Sequence, residues 1–142
     1  MLRTLFAIAS GLFAMMIVVT FTGLVNSRLF PLAEGGDLTA SLAVLPQVAK
    51  LMIVAGNCAG PMLGAAIAAR LAERRWLVAL VIGAAATALN FSNGLGVPYP
   101  AWMLWAVTLP PLPLAGLAAY WMTPKTLPLP EPKAWPRNAK AD

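Results

Sequence analysis

The feature that most constrains this chain is the spacing of its charges. Residues Thr4 to Ser27, Leu51 to Ala69 and Trp76 to Pro124 carry no Asp, Glu, Lys or Arg. A charge at the centre of a bilayer costs at least about 2.5–3.5 kcal/mol on insertion scales, so long charge-free apolar runs are the signature of spans. A hydrocarbon core of about 30 Å takes about 20 helical residues. The third gap has room for two spans with a turn between them. Ser92-Asn93-Gly94-Leu95-Gly96-Val97-Pro98-Tyr99-Pro100 supplies the breakers for that turn. The reading is an all-α membrane protein with four transmembrane helices over about 4–27, 46–69, 76–91 and 101–122, forming one domain over 1–122.

Composition agrees. The 142 residues are 60% hydrophobic and 11% charged, against about 45–50% apolar and about 25% charged in soluble domains. With no His, one Cys and five acidic residues, the chain lacks the parts of a His-based metal site, a cysteine redox pair or a carboxylate dyad. No enzymatic activity, cofactor or metal is expected.

Basic residues set the orientation. Arg3, Arg70, Arg74, Arg75, Lys125, Lys133, Arg137 and Lys140 fall on one side of the four spans, and Arg28 and Lys50 on the other. The positive-inside rule then puts both termini in the cytoplasm. The same asymmetry accounts for the net charge of +5 without nucleic acid as a partner. A cytoplasm-active reporter fused after Asp142 is expected to work, and one inserted at Gly35 to report the opposite side. A C-terminus on the far side would show that the number of spans is wrong. Arg3 ahead of an apolar run, with Ala7-Ile8-Ala9 as a small-x-small site, imitates a secretory signal. The site precedes nearly all of the apolar run, so the segment reads as a span.

Between the first two spans, Gly35-Gly36 break the chain, and Leu38, Leu42 and Leu45 share one face of a short helix over 38–45, suited to lying on the membrane surface. Glu34 and Asp37 beside it fall short of the six to eight oxygens of a calcium site. Residues 123–142 hold Pro124, Pro128, Pro130, Pro132 and Pro136 and read as a disordered, polyproline-like cytoplasmic tail.

The second span carries the most specific pattern, a glycine zipper. Gly56, Gly60, Gly64 and Ala68 recur every four residues, giving a stripe that lets another helix approach backbone to backbone where lipid supplies no hydrophobic drive. Ala7 with Gly11 in the first span, and Ala79, Gly83 and Thr87 in the third, are candidate partners. So are another membrane protein and a second copy of the chain, because spacing does not distinguish contacts within a chain from contacts between chains. Pro61 in the second span, and Pro110, Pro111 and Pro113 in the fourth, each remove a backbone donor. Pro61 lies about 14 Å from Arg70 and Pro111 about 17 Å from Met122 at 1.5 Å per residue. Asn57, one turn before Pro61, adds an amide near mid-depth. Broken helices at matching depth point to a carrier's binding site. The plainer reading makes Asn57 a helix-to-helix hydrogen bond and lets neighbours satisfy the freed carbonyls. Cys58, central and without a partner cysteine, reads as an inert thiol.

Known four-helix families can be tested on these residues. Small multidrug exporters need an embedded carboxylate, and quinone-linked disulfide enzymes need cysteine pairs; neither occurs in the spans. Membrane glutathione-type transferases use charged residues inside the bundle, which the spans also lack. Over roughly 1–122 the chain resembles a loose set of small bacterial four-helix inner-membrane proteins without an assigned function. The resemblance is carried by Phe30-Pro31, Leu45-Pro46, Ala49-Lys50-Leu51, Ala68-Ala69-Arg70, and Asn90 followed by Pro98, Pro100 and Trp102. It brings no catalytic residues. The leading reading is a non-enzymatic accessory or structural subunit acting through helix packing, and the alternative is a facilitative pore or carrier for an uncharged solute.

Overall fold

The computed structural model describes residues 2–31, 44–97 and 99–122. These form α1 (Leu2–Leu29), α2 (Gln47–Leu71), α3 (Arg75–Gly96), α4 (Ala101–Thr108) and α5 (Pro111–Met122). Taking α4 and α5 as one unit over Ala101–Met122, four helices are long and apolar enough to cross a membrane. The Pro-rich tail lies outside the described residues, as do Glu34, Asp37 and all but the last two residues of the short helix expected over 38–45.

Three boundaries show how local chemistry and environment compete. The third helix runs to Gly96, where the sequence reading ended it at residue 91. A helical glycine costs about 1 kcal/mol relative to alanine in water, but an unpaired backbone group in lipid costs several, so Gly94 stays helical. Proline stops it instead. Val97, which precedes Pro98, is extended at φ −118 and ψ 123, the conformation forced on a residue before proline. The second helix, expected to be interrupted at Pro61, passes through that residue without ending. The fourth span is divided at Leu109–Pro110, although Leu109 keeps helical angles of φ −75 and ψ −44.

α2 is central, with α1 on one side and α3 and α5 on the other. The interior is built from small residues. Ala7, Ala49, Ala65, Ala68, Ala69, Ala79, Ala115 and Ala119 are fully buried, while Phe13 is 70% exposed and Phe6 and Phe21 65% each. A soluble protein inverts this order. In lipid, large apolar side chains gain nothing by turning inward, and close packing of backbones selects small ones for the contacts.

One end of the bundle gathers the arginines. Arg3 donates from Nε to the carbonyl of Leu71 at 3.0 Å, and Arg75 from Nη1 to the carbonyl of Met122 at 3.0 Å. These carbonyls close α2 and α5, whose last turns leave acceptors without intrahelical donors and carry the negative end of the dipole. The residues that mark orientation therefore also cap helices. Trp76, Tyr120 and Trp121 lie exposed near this end, and Trp102 and Trp105 near the other, as two interfacial belts require. Tyr99 joins the far belt half-buried, and burial raises its phenol pKa above the ordinary value.

Candidate functional site

The glycine stripe faces α1. A Cβ built on Gly56 would lie 2.7 Å from Cγ2 of Thr22, one on Gly60 2.7 Å from Cγ2 of Val19, and one on Gly64 2.5 Å from the carbonyl oxygen of Gly11. Reciprocally, a Cβ on Gly11 would meet Cβ of Ala68 and the carbonyl oxygen of Gly64, both at 2.7 Å. α1 and α2 thus run antiparallel with Gly11 set into the stripe, and Ala7 is fully buried one turn earlier. The candidate stripe on α3 has another neighbour. A Cβ on Gly83 would lie 2.9 Å from Cβ of Ala115 and 3.0 Å from Cα of Leu112, both on α5.

Prolines decide where the polar side chains go. Pro110 and Pro111 have no N–H, so the carbonyls of Ala106 and Val107, four residues earlier, lose their helical donors. Neighbouring helices answer both. Asn90 of α3 donates from Nδ2 to the Val107 carbonyl at 2.7 Å, a buried bond. Cys58 of α2 directs its thiol at the Ala106 carbonyl at 3.9 Å, so the lone cysteine acts as a weak donor at the break. Pro111 is among the largest fully buried side chains, Pro110 is half-buried and Pro113 exposed.

Asn57 differs from its expected role. Its Nδ2 donates to the Ile53 carbonyl of its own helix at 2.9 Å, a carbonyl that also lies in reach of the backbone N–H of Asn57. The helix-to-helix amide bond is made by Asn90. Asn57 instead borders a cleft of about 310 Å³ with Met15, Met16 and Val19 of α1, Pro61 of α2, and Leu89, Asn90 and Asn93 of α3. The structure thus brings Asn57 and Pro61 together with two amides that the sequence reading left out of the site, whereas Pro110, Pro111 and Pro113 are not among the lining residues. A usable signal was present: Asn57 is about 20 Å from Arg70 and Asn90 about 22 Å from Arg75 along their helices, which is equal depth.

The chemistry of the cleft is narrow. Three amides and two thioether side chains line it, and no lining residue is charged. Asn57 and Asn90 each commit an N–H to a backbone carbonyl, which leaves their oxygens and remaining N–H groups to meet a solute. Such a surface can hold an uncharged molecule by hydrogen bonds and apolar contact. Among the described residues no three His, Cys, Asp or Glu side chains are grouped to hold a metal ion. No known family, characterised protein or solved structure matches this chain.

Proposed function

We propose that the protein is a non-enzymatic multi-pass membrane protein that works as a facilitative carrier or pore for a small uncharged solute, both termini cytoplasmic. The observation that carries this reading is the cleft beside Pro61, where Asn57, Asn90 and Asn93 converge from two helices. Amides in a span are costly unless paired, and a solute offering hydrogen bonds at that depth replaces part of the water it gives up. The subunit reading rested on the glycine stripe as a partner surface. With α1 seated on Gly56, Gly60 and Gly64, a partner would have to meet another face, such as the outer face of α1, where Phe6, Phe13 and Phe21 are exposed.

Purified full-length protein in proteoliposomes, probed with glycerol and urea by stopped-flow light scattering, tests the proposal. Solute entry is expected to exceed that of empty liposomes and to fall to their level in Asn57→Leu. That variant takes a donor only from the Ile53 carbonyl, which keeps the backbone N–H of residue 57, so circular dichroism and elution in detergent should match wild type. Wild-type entry no faster than empty liposomes for both solutes would return the subunit reading to first place.

A further inference from the structure

At the arginine end, the turn between α2 and α3 forms a second cleft of about 400 Å³, lined by Glu73, Arg74, Arg75, Trp76 and Leu77. We propose that this cleft holds the headgroup phosphate of an anionic phospholipid. The argument starts from charge. Arg3, Arg70, Arg74 and Arg75 gather here, and the nearby carboxylate of Glu73 is engaged by Arg3 Nη1 at 3.6 Å. Two of the cations are partly committed: Arg3 also donates to Leu71 and Arg75 to the Met122 carbonyl. Arg70 reaches only the Met122 sulfur at 3.1 Å, a weak acceptor, and Arg74 is exposed. Arg74 lines the cleft and Arg70 stands four residues earlier in the last turn of α2, both with donors to spare, and their planar forks suit phosphate oxygens.

Position selects lipid over a soluble anion. Trp76 lines the same cleft, is 49% exposed, and sets its ring beside Gly116 of α5. An indole belongs at the headgroup level of a bilayer, so the arginines next to it sit where lipid phosphates lie. A phosphodiester there meets the guanidinium groups while its acyl chains follow the apolar outer faces of α3 and α5. A free phosphate would lack the second half of that contact.

Brominated lipids test the proposal directly. Full-length protein is reconstituted in phosphatidylcholine with a minor fraction of brominated phosphatidylglycerol or, in parallel, brominated phosphatidylcholine, and the quenched fluorescence assigned to Trp76 is taken as the difference from Trp76→Phe. Preferential quenching by the anionic lipid is expected. It should fall roughly five-fold per arginine removed in Arg74→Gln and Arg70→Gln and be retained in Arg74→Lys to the extent that charge alone matters. Arg28→Gln, at the opposite end, should leave it unchanged. Three results would overturn the site: equal quenching by both lipids, undiminished preference in Arg74→Gln, or an equal loss in Arg28→Gln, which would mean general electrostatics. Loss of the preference on adding inorganic phosphate, beyond that caused by chloride of equal ionic strength, would assign the cleft to free phosphate and also overturn the lipid. Because solute flux is read separately, the outcome is independent of the carrier proposal.

Discussion

Gly64→Ala lowers stability by about 1–3 kcal/mol, the usual cost of forcing bulk into a filled contact, and Gly64→Leu abolishes recovery of folded protein. The new Cβ would lie 2.5 Å from the Gly11 carbonyl oxygen and 3.0 Å from Cβ of Met15. The first of these is backbone, which cannot rotate away as a side chain would, so α1 must shift along its length. Gly11→Ala is expected to cost a similar amount, since its Cβ meets the Gly64 carbonyl. The double variant should cost less than the sum, because one displacement of α1 relieves both clashes. Gly23→Ala is the control. Nothing lies within 4 Å of a Cβ there, and its effect should stay within about 0.5 kcal/mol. Reversible unfolding in mixed detergent measures all four. Wild-type stability in Gly64→Ala would mean that α1 does not occupy the stripe, and a loss that appears only as a concentration-dependent dissociation would place the contact between two copies.

The second large effect concerns the proline break. Asn90→Leu removes the donor to the Val107 carbonyl, whose own helical donor is missing because residue 111 is proline. Interhelical side-chain hydrogen bonds in membranes average about 0.6 kcal/mol and reach about 1.7. This one should sit at or above the upper figure, since its loss strands a buried acceptor. Pro111→Ala in the Asn90→Leu background returns an N–H. Leu109 keeps helical angles across the break, so the new donor points at Val107 and should recover most of the loss. Asn57→Leu makes the comparison, because Ile53 keeps a backbone donor and the cost should be no more than about 0.5 kcal/mol. Equal losses at positions 57 and 90, or no rescue by Pro111→Ala, would show that the Val107 carbonyl is satisfied in another way.

These two experiments mark where the sequence was legible. The four long apolar helices followed from the charge-free runs, because exclusion of charge from hydrocarbon acts on each residue alone. The third helix shows the limit: Asn93-Gly94 is a turn signal in water, where a freed backbone group finds a solvent partner, and helix in this bundle, where it finds none. Gly94 then serves another purpose, admitting the Leu104 side chain of α4. The cleft was half visible. Asn57 and Pro61 stand out as a polar residue next to a proline, but Asn90 enters the sequence reading only as part of the resemblance and Asn93 only as a turn breaker, and similar depth on two helices becomes a site only when the helices are neighbours.

What the amino-acid order determined by itself was local: where helices can cross, which positions share a face, and which carbonyls the prolines at 110 and 111 would strand. What the tertiary structure decided was who answers. α1 rather than another helix covers Gly56, Gly60 and Gly64; α5 rather than α2 lies on Gly83; and Asn90 rather than Asn57 reaches across to the broken helix. The physical reason lies in the solvent. In water, burial of apolar area would mark the inner face of each helix in its own sequence. Lipid is as apolar as leucine, so every face of these helices is admissible, and the choice falls to close backbone contact and to paired polar groups, which are properties of two helices together.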